Sequence, residues 1–155
     1  MTYGDLDGTN LHPHCYAAEG LLVAGLYLKN NIFLDAAQKA TQWMAENIKD
    51  GLIPRHKLGE VYNYNERADI LSQGYRLLMF FPSTGNVENR EALLKKIVSY
   101  QHPENYPREV AGGFRFGKLS NGNAADHTNA WVTMFALQAM ILHKNKPLKN
   151  IFHLI

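Results

Sequence analysis

Apolar and polar residues alternate along this chain in a pattern that predicts five helices of two kinds. Two segments, 33–49 and 87–101, carry apolar side chains on one face and charged or amide side chains on the other. Three segments, 13–29, 66–81 and 127–143, are apolar around most of their circumference. Helices without a polar face are normally buried, and one-sided helices face solvent. The pattern therefore predicts three inner helices covered by two outer helices, in antiparallel hairpins.

Glycine residues refine this picture at three places. Gly20 and Gly25 lie within the first helix, where each costs about 1 kcal/mol relative to Ala. Their presence predicts the close approach of a neighbouring helix. The Asp50-Gly51 pair ends the second helix, because glycine suits the left-handed position after a helix. Segment 112–117, with its alternating aromatic residues, predicts a short strand inside a long connection.

Each inner helix begins with a cluster of polar and aromatic side chains. These clusters recur at intervals of roughly 55 to 60 residues, as a coarse internal repeat would. The connections that lead into inner helices are long, so they are expected to lie on one rim with the clusters. This arrangement predicts a shared pocket built from three groups of residues: His12–Tyr16 with Glu19, Asn65–Asp69 with Gln73, and Asp126–Asn129 with Trp131.

Length and composition predict one globular domain spanning residues 1–155, of which 46% are hydrophobic. The net charge of +2 is scattered, so nucleic-acid binding through a basic stripe is not expected. A lone cysteine, Cys15, excludes an internal disulfide and favours a reducing compartment. The N-terminus does not resemble a secretory signal, and no apolar run approaches the ~18 residues that span a membrane. We therefore expect a cytoplasmic protein without a membrane partner.

Two acidic residues, Glu19 and Asp69, lie within apolar helical sequence, where an unpaired charge is costly. Each is expected to have a buried partner such as Arg67, Arg76 or His127. Glycoside hydrolysis uses two carboxyl groups about 5 to 9.5 Å apart, so Glu19 and Asp69 are candidate catalytic residues. The alternative is that both form structural ion pairs.

Two further acidic residues, Glu66 and Asp126, lie where an inner helix begins. Acidic side chains at a helix N-terminus commonly cap free backbone N–H groups and interact favourably with the helix dipole. We expect capping to be the main role of this pair, with a catalytic role as the alternative.

Histidine side chains titrate near neutral pH, so His14 and His127 are candidate general acids or bases. The alternative is a histidine satisfied by a neighbouring backbone or side-chain group. His12, His14 and His127 lack the companion cysteines or the helical four-residue spacing that favour zinc. We expect neither a metal nor another cofactor. Cys15 adjoins His14, but neighbouring helical side chains diverge, so a buried structural thiol is expected rather than a nucleophile.

Aromatic residues are frequent near the predicted rim and could stack on the apolar face of a sugar. The alternatives are that these rings anchor loops or, for Trp131, pack in the core. The candidate ligand-binding residues are Tyr16, Tyr64, Arg67, Phe116 and Trp131.

Segments 14–22, 50–54, 112–114 and 127–131 resemble parts of an α/α toroid, the architecture of six-hairpin glycosidases, related polysaccharide lyases and sugar epimerases. The resemblance implies sugar-binding aromatic residues and carboxylates at the ends of inner helices. A closed toroid of this kind has about twelve helices, whereas five are predicted here. The chain would then be part of a longer protein, a truncated product, or a subunit whose ring is completed by self-association or by another chain.

The expected fold is therefore all-α, a partial α/α toroid. The expected function is binding of a sugar or polysaccharide at the inner-helix mouth, with glycoside hydrolysis as its catalytic form. Two alternatives remain open: a non-catalytic helical interaction or assembly module, and an isoprenoid-binding toroid with a less polar pocket.

Overall fold

The structure is a computed structural model that describes residues 2–3, 6–119, 121–125 and 127–144. Its helices confirm the five predicted from the sequence, with ends shifted by no more than three residues. They are α1 (Leu11–Leu28), α2 (Asn31–Glu46), α3 (Ala68–Phe80), α4 (Val87–Val98) and α5 (Ala130–Lys144). No helix in the described part of the chain is long and apolar enough to cross a membrane.

Asparagine side chains start four of these helices, and α3 is the exception. The asparagine side chains accept hydrogen bonds from backbone N–H groups of the first turn, as N-cap residues do. They belong to Asn10, Asn30, Asn86 and Asn129. Helix α3 follows Arg67, whose side chain makes no capping hydrogen bond. Instead, the Ala68 N–H donates to the carbonyl of Phe116 at 2.9 Å, so the long connection before α5 holds the start of α3.

Helix α3 lies between α1 and α5, while α2 packs on α1 and α3, and α4 packs on α3 and α5. Every residue of α3 from Ala68 to Leu78 is buried, as an inner helix requires. Helices α2 and α4 bury one face each, which confirms their predicted one-sided character. The prediction that the inner helices are buried on all sides is wrong for α1, which buries only one stripe of side chains, and for α5, because α3 and α4 cover only part of the surface of α5. Its exposed apolar side chains are Trp131, Met134, Leu137 and Ile141.

A small antiparallel sheet corrects the all-α prediction, so the described chain is mostly helical rather than purely so. Its strands, in spatial order, are β1 (Thr2–Tyr3), β2 (Leu6–Asn10), β3 (His56–Leu58) and β4 (Val61–Asn63). Strands this short show no readable alternation of apolar and polar residues. The pairing of β2 with β3 fixes the connection between α2 and α3 beside the start of α1.

Segment 112–117 forms single bridges rather than the predicted strand. Phe114 pairs with Gln101, Arg115 with Thr128, and Gly117 with Arg67. Gly117 has a φ of +146°, and a Cβ at this position would lie 2.2 Å from the Glu66 carbonyl oxygen. Only glycine permits this close approach, which holds the connection against the start of α3.

Candidate functional site

An open groove of about 550 Å³ lies between α1 and α5, with α3 at its base. We refer to it as the groove. The residues on which its chemistry depends are Tyr16, Glu19, Gly20, Arg76, Trp131 and Phe135.

The two glycines of α1 have opposite surroundings. A Cβ at Gly25 would meet the Leu34 side chain at 2.6 Å, which confirms the predicted close approach of a neighbouring helix. A Cβ at Gly20 would meet no atom within 4 Å. The same prediction is therefore wrong for Gly20, which lines the groove and widens it.

A polar network, which we call the rim, lies where α1 and α3 begin. The Arg67 guanidinium donates to both carboxylate oxygens of Asp69, at 3.1 and 2.5 Å. The His12 Nδ1 lies 3.3 Å from Asp69 Oδ2 and 2.8 Å from Gln73 Oε1. The Asp69 side chain is 2% exposed. Its expected basic partner is confirmed as Arg67, and the network fixes the carboxylate in one orientation.

Aromatic rings extend the rim towards the start of α5. The Arg67 guanidinium lies over the Phe116 ring, 4.7 Å from its centre, within the range of a cation–π contact. The His127 ring also stacks on the Phe116 ring, with ring centres 5.5 Å apart. Residues from the starts of α1 and α3 and from the connection before α5 therefore converge, as the three clusters in the sequence indicated.

Three aromatic rings lead from the rim into the groove. The ring centres of Tyr16 and Phe135 are 5.8 Å apart, and those of Trp131 and Phe135 are also 5.8 Å apart. Phe135 is buried, whereas Tyr16 and Trp131 are 37% and 54% exposed. The two exposed rings thus offer faces to a ligand, and the buried Phe135 ring packs against both of them.

One ion pair lies among the apolar groups of the groove. The Arg76 Nη2 is 3.3 Å from Glu19 Oε1, and the two side chains are 7% and 14% exposed. Burial raises the pKa of Glu19 to about 7, although the charge of Arg76 opposes this change. The same burial lowers the pKa of Arg76. The expected basic partner of Glu19 is thereby confirmed as Arg76.

His14 and Tyr64 do not join the groove. The His14 Nε2 lies 2.9 Å from the Ala40 carbonyl oxygen, its ring packs near Trp43, and burial lowers its pKa. The Tyr64 hydroxyl donates to the Asn47 carbonyl at 3.1 Å. Both side chains therefore contact α2 or the turn that follows it, on the side of the backbone away from the groove.

Cys15 is fully buried, and its Sγ lies 3.8 Å from Met44 Sδ. Burial raises the pKa of the thiol well above its usual range, so the thiolate that a nucleophile requires is disfavoured. The expectation of a structural thiol is confirmed.

Glu66 is not a helix cap but the centre of a separate charged cluster, which we call the clasp. Its carboxylate accepts from Lys118 at 2.6 Å, from Lys96 at 2.8 Å, and from the Tyr100 hydroxyl. Burial favours the neutral acid, but these donors outweigh it and lower the pKa of Glu66 to about 2. The clasp joins α4 to the connection before α3 and to the connection before α5. Asp126, the other expected cap, lies outside the described residues.

The sequence interpretation missed that one stripe of α3 supplies the rim and the groove together. Asp69, Gln73, Arg76 and Phe80 follow the spacing i, i+4, i+7 and i+11, which places them along one face of a helix. This spacing was the available signal, but the surrounding apolar residues made α3 look uniformly buried. The sequence pattern indicates Arg76 only as a partner of a carboxylate, and it does not indicate a role for Phe135 in the groove.

No group of three or more potential metal ligands occurs among the residues that the structure describes. Comparison with protein-family models, curated proteins and solved structures gave no match to this chain. The chemistry of the site must therefore be inferred from its own residues.

Proposed function

We propose that the groove and the rim together bind a sugar ring or a short stretch of polysaccharide. The observation that carries this proposal is the position of two exposed rings, Tyr16 and Trp131, beside a fixed network of carboxylate, guanidinium and amide groups. A sugar has apolar C–H faces and a periphery of hydroxyl groups. Aromatic rings can cover the faces, while planar polar side chains bind the hydroxyls.

The helix arrangement supports the proposal, because it fits part of an α/α toroid. Helices α1, α3 and α5 would be successive inner helices, with α2 and α4 outside them. In such an arrangement the starts of inner helices share one mouth, which is where the rim lies. We propose this architecture together with the ligand, since a concave inner face is where a bound sugar would be enclosed.

Within this proposal, Glu19 is the proton donor of a glycoside hydrolase. Its pKa of about 7 keeps a large protonated fraction at neutral pH, as a general acid requires. The Asp69 carboxylate is already paired with Arg67 and His12, so its proposed role is to position these two side chains. The proposed division of labour is one acid in the groove and one orienting carboxylate in the rim, and the base that deprotonates the attacking water would come from the chain that completes the ring.

Binding can be tested by ligand-observed NMR with a panel of methyl glycosides and short oligosaccharides. We expect saturation transfer to at least one sugar, and a loss of affinity of about tenfold in Tyr16→Ala or Trp131→Ala. Tyr106→Ala is the matched control, because Tyr106 is 38% exposed, like Tyr16, but lies in the connection before α5. The control should bind like the unmodified protein.

Two results would overturn the proposal. One is the absence of sugar binding in a protein whose fold is intact by circular dichroism. The other is binding of farnesol in the groove without any sugar binding, since the isoprenoid alternative predicts this preference. Release of reducing ends from a bound polysaccharide, abolished in Glu19→Gln, would support the hydrolase assignment; undiminished release in that variant would exclude Glu19 as the acid.

A second candidate function, assembly with another chain, is favoured by the exposed flank of α5. Leu137 and Ile141 are 45% and 49% exposed, and neither lines the groove. Exposed apolar residues that adjoin one another often mark contact surfaces. Light scattering at micromolar concentration should show an oligomer that Ile141→Glu dissociates. A monomer in both cases would reject this candidate.

A further inference from the structure

The guanidinium of Arg76 has more donors than the described residues pair with. Its Nη2 is paired with Glu19 at 3.3 Å, but its Nε and Nη1 are buried without a hydrogen-bond partner. A buried donor left unpaired costs about 1 to 3 kcal/mol. Arg76 lines the groove, so a bound ligand is well placed to supply the missing acceptors.

The stripe of α3 shows the same excess of donors next to Arg76. The Gln73 Oε1 accepts a hydrogen bond from His12, while the buried Nε2 of Gln73 has no partner in the described structure. Both unsatisfied residues lie on the face of α3 that leads from the rim to the groove. An occupant rich in acceptor oxygens would complement this face.

The rest of the groove makes an anion the best complement for Arg76. Phe135 covers the guanidinium, with its ring centre 5.1 Å from Cζ, and the neighbouring wall is formed by apolar side chains such as Val23 and Met134. In such surroundings charged hydrogen bonds are stronger than neutral ones, and guanidinium binds carboxylate with matched geometry. Glu19 offers only a single 3.3 Å contact, which is longer than a usual charged hydrogen bond and leaves two donors of Arg76 unpaired.

We propose that the groove takes an acidic sugar, whose carboxylate pairs with Arg76 through the donors that Glu19 leaves free. This inference rests on the proposed sugar-binding function and names the class of sugar. The ring of the sugar would lie against Tyr16 and Trp131. The carboxylate would then reach the only arginine that lines the groove among the described residues.

Proton uptake should accompany binding, because two carboxylates would otherwise share one guanidinium. The titratable and charged groups that interact with Glu19 are Cys15 and Tyr16 from α1 and Arg76 from α3, and Tyr27 of α1 also lines the groove. The α5 residues that line the groove do not titrate. A neutral Glu19 no longer competes with the ligand's carboxylate for the guanidinium of Arg76. Affinity should therefore fall by about tenfold between about pH 5.5 and about pH 8.5.

The test compares three ligands of the intact chain: methyl glucuronide, methyl glucoside and cyclohexanecarboxylate. Isothermal titration calorimetry up to about 10 mM covers the weak affinities of single sugars. We expect the acidic sugar to bind at least about tenfold more tightly than the neutral one, the equivalent of one charged hydrogen bond. Arg76→Met should remove this preference, and Arg108→Met, at an exposed arginine, should retain it.

Since Arg76→Met could disturb folding, Glu19→Gln gives an independent measurement. This variant should keep the preference for the acidic sugar and lose most of its pH dependence. A pH dependence unchanged in Glu19→Gln would overturn the coupling between the ligand and Glu19.

The ligand set separates the two proposals. Equal affinity for both sugars overturns the acidic-sugar inference and leaves sugar binding intact. Binding of cyclohexanecarboxylate alone, lost in Arg76→Met, retains a carboxylate site but overturns the sugar. Binding of none of the three overturns the acidic-sugar inference, and the broader sugar panel then decides the proposed function.

Discussion

Glu66 in the clasp and Glu19 in the groove are both part-buried glutamates beside cations, yet they are in opposite electrostatic states. The Glu66 carboxylate accepts hydrogen bonds from two lysines and a tyrosine hydroxyl, which lower its pKa to about 2. Glu19 receives one distant contact from Arg76, and burial raises its pKa to about 7. A carboxylate that accepts several hydrogen bonds stabilises the fold. A carboxylate with a single long contact in an open groove is available to a ligand or to proton transfer.

The largest effect on stability is expected when Glu66 is replaced. Replacement by Gln should lower the free energy of unfolding at pH 7 by about 2 kcal/mol, because the donors of Lys118, Lys96 and Tyr100 lose a charged acceptor. Chemical denaturation provides the measurement, with Glu91→Gln on the exposed face of α4 as the control. Equal stability of the two variants would show that the clasp contributes little.

The pH dependence of stability separates the two glutamates further. Because the folded pKa of Glu66 is below its usual value, its contribution is present above about pH 4.5 and is lost as the pH falls towards about 2. The folded pKa of Glu19 is raised, so the folded state holds its proton more tightly. Stability should therefore fall by about 1 kcal/mol as the pH rises from about 4.5 to about 7.

Denaturation of the unmodified protein and Glu19→Gln at a series of pH values tests this opposition. The variant should lack the decline between about pH 4.5 and pH 7 and should keep the acid-induced loss that belongs to Glu66. The reverse result, with the decline retained in Glu19→Gln, would assign it to another group.

Gly20 tests whether the groove is kept open at the expense of helix stability. Gly20→Ala should raise the free energy of unfolding by about 0.5 to 1 kcal/mol, because the added Cβ meets no atom and favours the helix. Gly74→Ala is the contrasting variant in α3, where a Cβ would lie 2.1 Å from Ile53 Cδ1 and should destabilise the protein. Destabilisation by both substitutions would mean that the open space at Gly20 is filled in solution.

The smallest effect on stability is expected at Trp131. Its side chain is 54% exposed, so Trp131→Ala should change the free energy of unfolding by no more than about 0.5 kcal/mol. The same substitution is expected to weaken sugar binding. A large loss of stability, measured by thermal unfolding, would instead assign this ring to the core.

Local periodicity was sufficient to predict the five helices, and the cost of burying a charge predicted that Glu19 and Asp69 have buried partners, without deciding which residue pairs with which. The clasp could not be predicted in this way, because Lys118 lies 52 residues from Glu66 and only the folded connection joins them. The open space at Gly20 likewise depends on which helix lies across from it. The roles of Tyr64 and His14 required knowledge of which side of the backbone each occupies.

The start of α3 connects these regions, since its first amide is bound by the carbonyl of Phe116 rather than by a side-chain cap. The neighbouring residue on one side is Arg67, which fixes Asp69, and Phe116 itself lies beneath the Arg67 guanidinium. Opening of the connection before α5 would expose this amide and release the rim in one event. The hydrogen-exchange rate of the Ala68 amide is thus a single-residue reporter of whether the site is assembled.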